Sequence, residues 1–336
     1  MKFAVIGAGS WGTTIANLLT LNSHDVTLWA REPEVVEGIN KDRKNPFFVS
    51  DLPLEPNLKC TNDVEEALNN ADYALFAIPS TFLASSIKPL KHLLKKVKGV
   101  ANVAKGFEQG TGRSLSEVIC EVLDIEPESP EDRVACLSGP NIATEVAQKR
   151  IGASVIACPD EQTAKILQKA FATDYFRIYR QLDRKGVELG GTLKNIFAIG
   201  AGILDGMELG DNAKAAYLTR SLHEMVRLGT ALGGQVETFY GLAGLGDLIT
   251  TANSYHSRNH KLGMALAKGV TLKEHLQTTR MVVEGVEATR IASEWGKKLN
   301  IQIPITEELS KILFSDHSAE NSPQNLMARS LKAETD

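Results

Sequence analysis

Gly7-Ala8-Gly9-Ser10-Trp11-Gly12 lies between a short apolar run and a helical pattern near the start of the chain. The spacing is G-x-G-x-x-G, in which each glycine has its own task. Gly7 permits a tight turn, Gly9 lets the backbone approach a pyrophosphate, and Gly12 lets the helix pack closely on the strand. Free N–H groups at the helix start would hold the phosphates. A glycine turn alone is common, but here strand, turn and helix agree, so the segment predicts dinucleotide binding.

Short apolar runs alternate with helical patterns through the first half of the chain. Lys2–Ile6 and Asp25–Trp29 have the character of strands, with Trp11–Leu21 as the helix between them. Continuous apolar character is typical of strands that a parallel sheet buries on both faces. The alternation predicts a Rossmann-like, doubly wound α/β sheet. Further candidate strands are Tyr73–Ile78, Val100–Ala104, Val134–Leu137 and Ser154–Ala157.

The pattern changes after about Arg184. Gly186–Met207 is a long helical stretch, and the remainder is mostly helical with glycine-rich turns near 241–246. We therefore expect an NAD(P)-binding Rossmann-like domain at 1–185 and an all-helical substrate and catalytic domain at 186–328. The polar residues 329–336 are expected to form a flexible tail.

Composition excludes several classes of protein. A hydrophobic share of 43% and a charged share of 23% are those of a globular chain rather than a disordered one. The net charge of -4 argues against nucleic-acid binding, and the basic pair Lys95-Lys96 fits a solvated helix face. No apolar run approaches the roughly 20 residues of a membrane span. The four cysteines are far apart and no metal-ligand spacing occurs, so we expect a cytoplasmic protein without membrane insertion or metal.

The end of the second predicted strand bears on the choice of cofactor. An acidic residue there usually binds the ribose 2′-hydroxyl of NAD, whereas an Arg accommodates the 2′-phosphate of NADP. This chain has Arg31 followed by Glu32. Arg31 could also be an ordinary surface cation. We favour NADP and keep NAD as the alternative.

Hydride transfer to a ketone needs a proton donor, a polar group at the carbonyl oxygen, and a grip on any remote charge of the substrate. Four segments combine unusual polar residues with small neighbours. Lys105 and Ser138-Gly139-Pro140-Asn141 each follow a predicted strand, at the sheet edge where ligands bind. Lys194 lies within an apolar, glycine-rich helical stretch, and the run from Gly244 to Thr251, which contains Asp247, leads to Ser257-Arg258-Asn259.

Each of these residues also has an ordinary structural interpretation. Lys105 could be an exposed turn lysine, Asp247 could cap a helix, and Arg258 could be a surface charge. Lys194 is harder to explain in this way, because its apolar neighbours predict burial. Burial would lower its pKa towards the range useful for proton transfer.

Together these segments resemble one family, the bacterial NAD(P)-dependent glycerol-3-phosphate dehydrogenases. The likeness covers nearly the whole chain in the family's order and spacing. It comprises Gly-Ala-Gly-Ser-Trp-Gly at 7–12, Ala-Lys-Gly-Phe-Glu at 104–108, Ser-Gly-Pro at 138–140, Leu-Lys-Asn at 193–195, Gly-Leu-Gly-Asp-Leu-Ile-Thr-Thr at 244–251 and Ser-Arg-Asn at 257–259. The resemblance implies reversible reduction of dihydroxyacetone phosphate to sn-glycerol 3-phosphate for glycerophospholipid synthesis. It also implies a homodimer.

The resemblance implies a role for each matching residue. Lys194 would be the base in oxidation and the proton donor in reduction, Lys105 would touch substrate and cofactor, and Asp247 would orient Lys194. Implied substrate contacts are Lys105, Gly139, Asn141, Lys194, Asn195, Asp247, Thr251, Ser257, Arg258 and Asn259. Of these, Ser257, Arg258 and Asn259 would hold the phosphate. Implied cofactor contacts are Gly7, Gly9, Ser10, Trp11, Gly12, Arg31, Lys105, Ala143, Arg258, Val282 and Glu284.

One position departs from the family, because Asn141 stands where Ser or Thr is usual. An amide can still donate and accept, so only the detailed binding geometry is affected. The nearest rival is a 6-phosphogluconate or β-hydroxyacid type of dehydrogenase, whose carboxylate-binding motif we do not find. A non-catalytic dinucleotide sensor is the rival of a different class. It would not need Lys105, Lys194, Asp247 and Arg258 together.

Overall fold

The structure is a computed structural model that describes residues 1–279, 282–315 and 317–334. Its described residues include one eight-stranded sheet, in the strand order β3-β2-β1-β4-β5-β6-β7-β8. The strands are β1 Lys2–Ile6, β2 Asp25–Trp29, β3 Lys59–Thr61, β4 Tyr73–Phe76, β5 Gly99–Asn102, β6 Val134–Ser138, β7 Gly152–Ala157 and β8 Phe176–Gln181. The reversal of strand order beside β1 is the switch point that a doubly wound sheet requires, and it lies next to the glycine turn.

Two features of the sheet differ from the expectation. The prediction of parallel strands is wrong for β7, which runs antiparallel to β6 and parallel to β8. The sequence could not show this, because apolar runs buried on both faces of a sheet do not reveal strand direction. Strands β3 and β8 were not predicted. β3 has three residues, and β8 alternates between buried and exposed positions as an edge strand does.

Helices cover both faces of the sheet, as the doubly wound prediction requires. One apolar cluster includes Phe3, Ile15 and Leu19, and a second on the other face includes Phe76 and Ile119. The helices of this half are α1 Ser10–Leu21, α2 Pro33–Glu37, α3 Val64–Leu68, α4 Ser80–Ile87, α5 Lys91–Leu94, α6 Leu115–Leu123, α7 Ala143–Ala147 and α8 Glu161–Phe171. A π-helical segment, Gly38–Asp42, and a 3-10 turn, Lys88–Leu90, accompany them.

From Arg184 onward the described residues form helices joined by loops, and no strand. The helices are α9 Arg184–Gly206, α10 Gly210–Ala231, α11 Val236–Phe239, α12 Asp247–Asn253, α13 Arg258–Ala267, α14 Leu272–Thr278, α15 Glu284–Leu299, α16 Pro304–Phe314 and α17 Ser322–Met327. A π-helical segment, Leu242–Gly246, leads into α12, and a 3-10 turn, Ala319–Asn321, leads into α17. Residues 328–334 form no helix or strand, and the flexibility of the tail stays a prediction.

Helix α9 is the centre of the helical half and packs on α10, α12, α13 and α15. It passes α13 so closely that a Cβ on Gly202 would collide with the carbonyl of His260. By length and composition α9 could cross a membrane, but 94% of its most apolar window is buried inside the molecule, as in a core helix. The same helix reaches strand β6, so it carries residues such as Lys194 to the edge of the sheet.

Candidate active site at the sheet edge

The glycine turn has the space that a pyrophosphate needs. Gly7 has φ of 115°, and a Cβ there would lie 2.6 Å from the carbonyl oxygen of Ala77. A Cβ on Gly12 would collide with the Gly7 carbonyl, so both positions require glycine for packing. Gly9 has no heavy atom near its Cβ direction, and α1 begins directly after it at Ser10. A bound phosphate would therefore meet open backbone and the start of a helix.

Three charged side chains meet between the sheet and α9. Lys105 lies in the loop after β5, Lys194 in the middle of α9, and Asp247 at the first position of α12. Asp247 Oδ2 accepts a hydrogen bond from Lys105 Nζ at 2.6 Å, and its Oδ1 accepts one from Lys194 Nζ at 3.0 Å. The side chains of Lys105, Lys194 and Asp247 are only 17%, 7% and 3% exposed. One carboxylate thus holds two ammonium groups at the edge of the sheet.

Burial changes the proton affinity of this group of residues. It lowers the pKa of Lys194 to about 8, because desolvation and the nearby Lys105 charge outweigh the attraction of Asp247. Burial alone would raise the pKa of the Asp247 carboxyl, but the two ammonium groups hold it below its ordinary value. Lys194 can therefore gain and lose a proton near neutral pH while Asp247 stays ionised.

Neutral polar groups complete the surroundings of the two lysines. Thr251 Oγ1 accepts from Lys194 Nζ at 2.5 Å and donates to Asp247 Oδ1 at 3.2 Å. Lys105 Nζ also donates to the Gly139 carbonyl at 3.0 Å and to Asn141 Oδ1 at 2.9 Å. The loop after β6 thereby provides two further acceptors for Lys105, in addition to Asp247.

A second polar cluster connects α9, α13 and α15. Asn259 Nδ2 donates to Asn195 Oδ1 at 2.9 Å, and Asn259 Oδ1 accepts from the Gly285 N–H at 3.0 Å. Ser257 caps α13 by accepting from the His260 N–H. Arg258, at the first position of α13, is exposed to solvent. The cluster therefore orients the start of α13, where the Arg258 guanidinium remains exposed.

The remaining predicted cofactor residues lie near the glycine turn or where the carboxyl edge of the sheet faces the helical half. We call this second region the cleft. Arg31 Nε and Nη2 donate to Glu32 Oε1 at 2.9 and 2.6 Å, and the Arg31 side chain is 81% exposed. Within the described residues, the buried Trp11 Nε1 has no hydrogen-bond partner. Such an orphaned donor beside the glycine turn is what a site for a polar ligand leaves when seen alone. Ala143 lies close by, since its carbonyl accepts from Thr14 Oγ1.

At the far side of the cleft, Val282 precedes α15 and Glu284 is its first residue. Glu284 binds Ser80, at the start of α4. Sequence reasoning missed Ser80, although its position directly after β4 and Pro79 places it at the same sheet edge. A dinucleotide turn, a doubly wound sheet and a buried lysine–carboxylate pair on an all-helical half define a two-part, nicotinamide-dependent dehydrogenase.

Comparison with known proteins agrees with this class. The family model of the NAD-dependent glycerol-3-phosphate dehydrogenase N-terminus matches residues 2–164, and that of the C-terminus matches residues 183–324. A glycerol-3-phosphate dehydrogenase (NAD(P)+) from Maridesulfovibrio salexigens is 43% identical over 99% of this chain and 100% of its own length. The one from Citrifermentans bemidjiense is 44% identical over 99% and 98%.

Solved structures agree as well. The crystal structure of glycerol-3-phosphate dehydrogenase from Coxiella burnetii superposes with a TM-score of 0.90 at 36% identity, covering 98% of this chain and 99% of that one. A D-mandelate dehydrogenase at 13% identity and TM-score 0.61, covering 98% and 100%, shares the fold alone. The chain belongs to the NAD-dependent glycerol-3-phosphate dehydrogenase family.

Proposed function

We propose that the chain interconverts dihydroxyacetone phosphate and sn-glycerol 3-phosphate with NADP(H) or NAD(H), and that Lys194 transfers the proton. The observation that carries this proposal is the buried ammonium of Lys194, hydrogen-bonded to Asp247 and Thr251, with a pKa of about 8. The bound nicotinamide supplies the hydride in reduction and accepts it in oxidation.

The protein's part in reduction is to deliver one proton as the hydride arrives. Protonated Lys194 donates its proton to the carbonyl oxygen, so that ketone, hydride and proton together give the secondary alcohol. In oxidation the neutral Lys194 amine accepts the hydroxyl proton instead. Asp247 fixes the direction of the amine and compensates its charge when protonated. Lys105, held by Asp247 and Gly139, places a second positive charge beside the oxygen.

The substrate phosphate would bind at the start of α13. Arg258 provides donors in a fixed planar arrangement that matches phosphate oxygens, and Ser257 and Asn259 lie on either side of it in sequence. The hydrogen bond between Asn259 and Asn195 stabilises this end of the site. We therefore propose that the side-chain amides of these two residues orient the phosphate site, while Arg258 provides the main contact with the phosphate.

Asn141 fits the substrate pocket without a hydroxyl. Its Oδ1 accepts from Lys105 and its Nδ2 donates to Ser154 Oγ at 3.2 Å. We propose that the amide replaces the Ser or Thr hydroxyl of other family members as the group that steadies Lys105. Gly139, with φ of 133°, lets the backbone carbonyl reach the same lysine.

The cofactor preference, assembly and setting are also proposals. We propose NADP as the preferred dinucleotide, because Arg31 follows the end of β2, where a dinucleotide fold usually contacts the ribose 2′ group, and a guanidinium suits a 2′-phosphate. Following the family resemblance, we propose a cytoplasmic homodimer that supplies glycerophospholipid synthesis. We further propose a division into a nucleotide domain at 1–185 and a helical catalytic domain at 186–328, since the last strand ends at Gln181 and α9 begins at Arg184.

The test is steady-state oxidation of NADPH, and separately of NADH, with dihydroxyacetone phosphate as substrate. We expect turnover with at least one of the two, and its loss in Lys194→Ala while dinucleotide binding persists. Binding without any turnover in the wild type would reject the reaction. Full activity in Lys194→Ala would reject the role of the lysine.

A further inference from the structure

The amino-terminal ends of α4 and α15 meet across the cleft through Ser80 and Glu284. Ser80 Oγ donates to Glu284 Oε2 at 2.6 Å, and the Ser80 N–H donates to Glu284 Oε1 at 3.3 Å. Ser80 is 3% exposed and belongs to the sheet half, whereas Glu284 opens a helix of the helical half. The contact thus joins residues 204 positions apart, one on each side of the cleft.

This pair packs directly on the loop that carries Lys105. A Cβ on Gly106 would lie 2.5 Å from Ser80 Oγ and 2.7 Å from Glu284 Oε2. Any larger residue at position 106 would therefore force the loop, Ser80 or Glu284 to shift. Gly106 follows Lys105, so the loop that presents the lysine to Asp247 rests against the Ser80–Glu284 hydrogen bond.

The charge of Glu284 depends on the same contact. Burial raises the pKa of the Glu284 carboxyl, and Glu287 on the same helix adds to this effect. The hydroxyl and N–H of Ser80 oppose it, as does the guanidinium of Arg258 on α13. Loss of the hydroxyl alone would therefore move the pKa of Glu284 further up.

We propose that Ser80 is a positioning residue of the dinucleotide site, whose hydroxyl holds Glu284 across the cleft and against Gly106. In this arrangement Ser80 orients the carboxylate that binds the cofactor and steadies the backbone beneath Lys105. The inference rests on the proposed function and on a cofactor contact of Glu284, which the family resemblance implies and which we propose here. It assigns a function to Ser80, which makes no contact with the lysine–aspartate group itself.

The experiment compares Ser80→Ala, Ser80→Thr and Glu284→Gln with a control on the same helix. Ser85→Ala is the matched control, because Ser85 is exposed and its Oγ donates only to the Phe82 carbonyl of its own turn. The dissociation constants of NADPH and NADH are measured by titration, and kcat and KM by steady-state oxidation between about pH 6 and pH 9.

We expect Ser80→Ala to weaken dinucleotide binding about tenfold, the effect of one hydrogen bond to a charged acceptor. The kcat at saturating dinucleotide should change far less. Ser80→Thr should restore most of the affinity, and Ser85→Ala should match the wild type. In Ser80→Ala the loss of affinity on acidification should begin at a higher pH, because Glu284 protonates more readily.

Unchanged affinity and pH dependence in Ser80→Ala would overturn the inference, as would equal losses in kcat and affinity that Thr does not rescue. Glu284→Gln separates this failure from that of the proposed contact. If Glu284→Gln weakens binding and Ser80→Ala does not, only the role of Ser80 is rejected. If neither variant weakens binding while the wild type turns over, the cofactor contact of Glu284 is rejected as well.

Discussion

Burial lowers the pKa of Lys194, and Asp247 limits this shift, because its carboxylate opposes the effects of burial and of Lys105. With a pKa of about 8 for Lys194, both protonation states are available near neutral pH. A general acid–base group works best in this range. The shared carboxylate also offsets the electrostatic repulsion between the two lysine ammonium groups.

The pH dependence of the two directions should therefore be opposite. The kcat/KM for glycerol 3-phosphate oxidation should rise with pH and level off above about 8, where Lys194 becomes neutral. The kcat/KM for dihydroxyacetone phosphate reduction should fall through the same range. In Asp247→Asn, any residual activity should show a midpoint at lower pH, because the attraction that raises the lysine pKa is gone. Identical profiles in both directions would contradict the assignment.

Arg31 should decide the preference between the dinucleotides. In the free protein its guanidinium is held by Glu32 and exposed, so a 2′-phosphate would have to displace that carboxylate. We expect Arg31→Ala to raise KM for NADPH about tenfold or more and to change KM for NADH little. Glu32→Gln, which frees the guanidinium, should lower KM for NADPH by a few-fold at most, since exposed pairs are weak. Equal changes in KM for NADPH and NADH in Arg31→Ala would show that Arg31 does not discriminate between the two cofactors.

At the residue scale, the sequence predicted the burial of Lys194 correctly, while the catalytic role of this lysine stays a prediction. Lys194 stood out because its apolar neighbours imply burial, and the structure buries it. Lys105 and Asp247 each had an ordinary alternative, and only the fold brings both within hydrogen-bonding distance of one another. The position of Ser80 at the sheet edge could have been predicted, but its contact with Glu284 could not, because the two residues are 204 positions apart.

At the scale of elements, the start of α16 depends on a carboxylate from another helix. Glu224 of α10 accepts from the N–H groups of Ile305 and Thr306 at 2.9 and 2.8 Å, and from Thr306 Oγ1 at 2.5 Å. Pro304 opens α16 and has no N–H, so Glu224 binds the next two free donors. Burial raises the pKa of Glu224 from 4.5 to about 7.

Burial of the Glu224 carboxyl should make stability depend on pH, because it raises the pKa more than the capping hydrogen bonds lower it. The folded pKa of Glu224 is above its unfolded value, so its contribution is fully present below about pH 4.5 and is lost as pH rises through about 7. Relative to Glu224→Gln, the wild-type free energy of unfolding should fall by up to about 3 kcal/mol between pH 5 and pH 8. Urea unfolding at both pH values measures this difference, and a constant difference would reject it.

The strands that the sequence did not predict are those whose residue pattern is not specific to a buried strand. β3 is too short to show a period, and β8 alternates like an edge strand within an otherwise continuously apolar series. The helices were easier to predict, because α1 and α9 are long and follow turn or capping signals. Asp183 caps α9 by accepting from the Gly186 N–H, a signal visible in the sequence just before the helix.

For the whole molecule, the fold class follows from the order of apolar runs, but strand direction does not. β7 runs against β6 although its residues resemble those of the parallel strands. The contact that joins the sheet to the helices is equally invisible in the sequence, because Arg184 pairs with Asp132, which lies 52 positions earlier in the chain.

The Arg184–Asp132 pair should make the molecule unfold as one unit. Arg184 opens α9, is 5% exposed, and donates to Asp132 Oδ1 at 2.7 Å and to the Val134 carbonyl at 2.6 Å. Arg184→Met would leave the Asp132 carboxylate buried and unpaired, at a cost of about 3–5 kcal/mol. Because α9 packs on both β6 and the other helices, we expect a single unfolding transition in Arg184→Met, at a lower temperature than in the wild type.

The double variant Arg184→Met/Asp132→Asn is the control for this prediction. The Asn side chain keeps an acceptor for the N–H groups of Glu128 and Val134 but carries no charge to leave unpaired. The double variant should therefore regain much of the stability lost in Arg184→Met. Thermal unfolding followed by calorimetry distinguishes the outcomes. Two separated transitions in Arg184→Met would mean that the sheet and the helices are stable independently, and that the ion pair joins two units rather than supporting one.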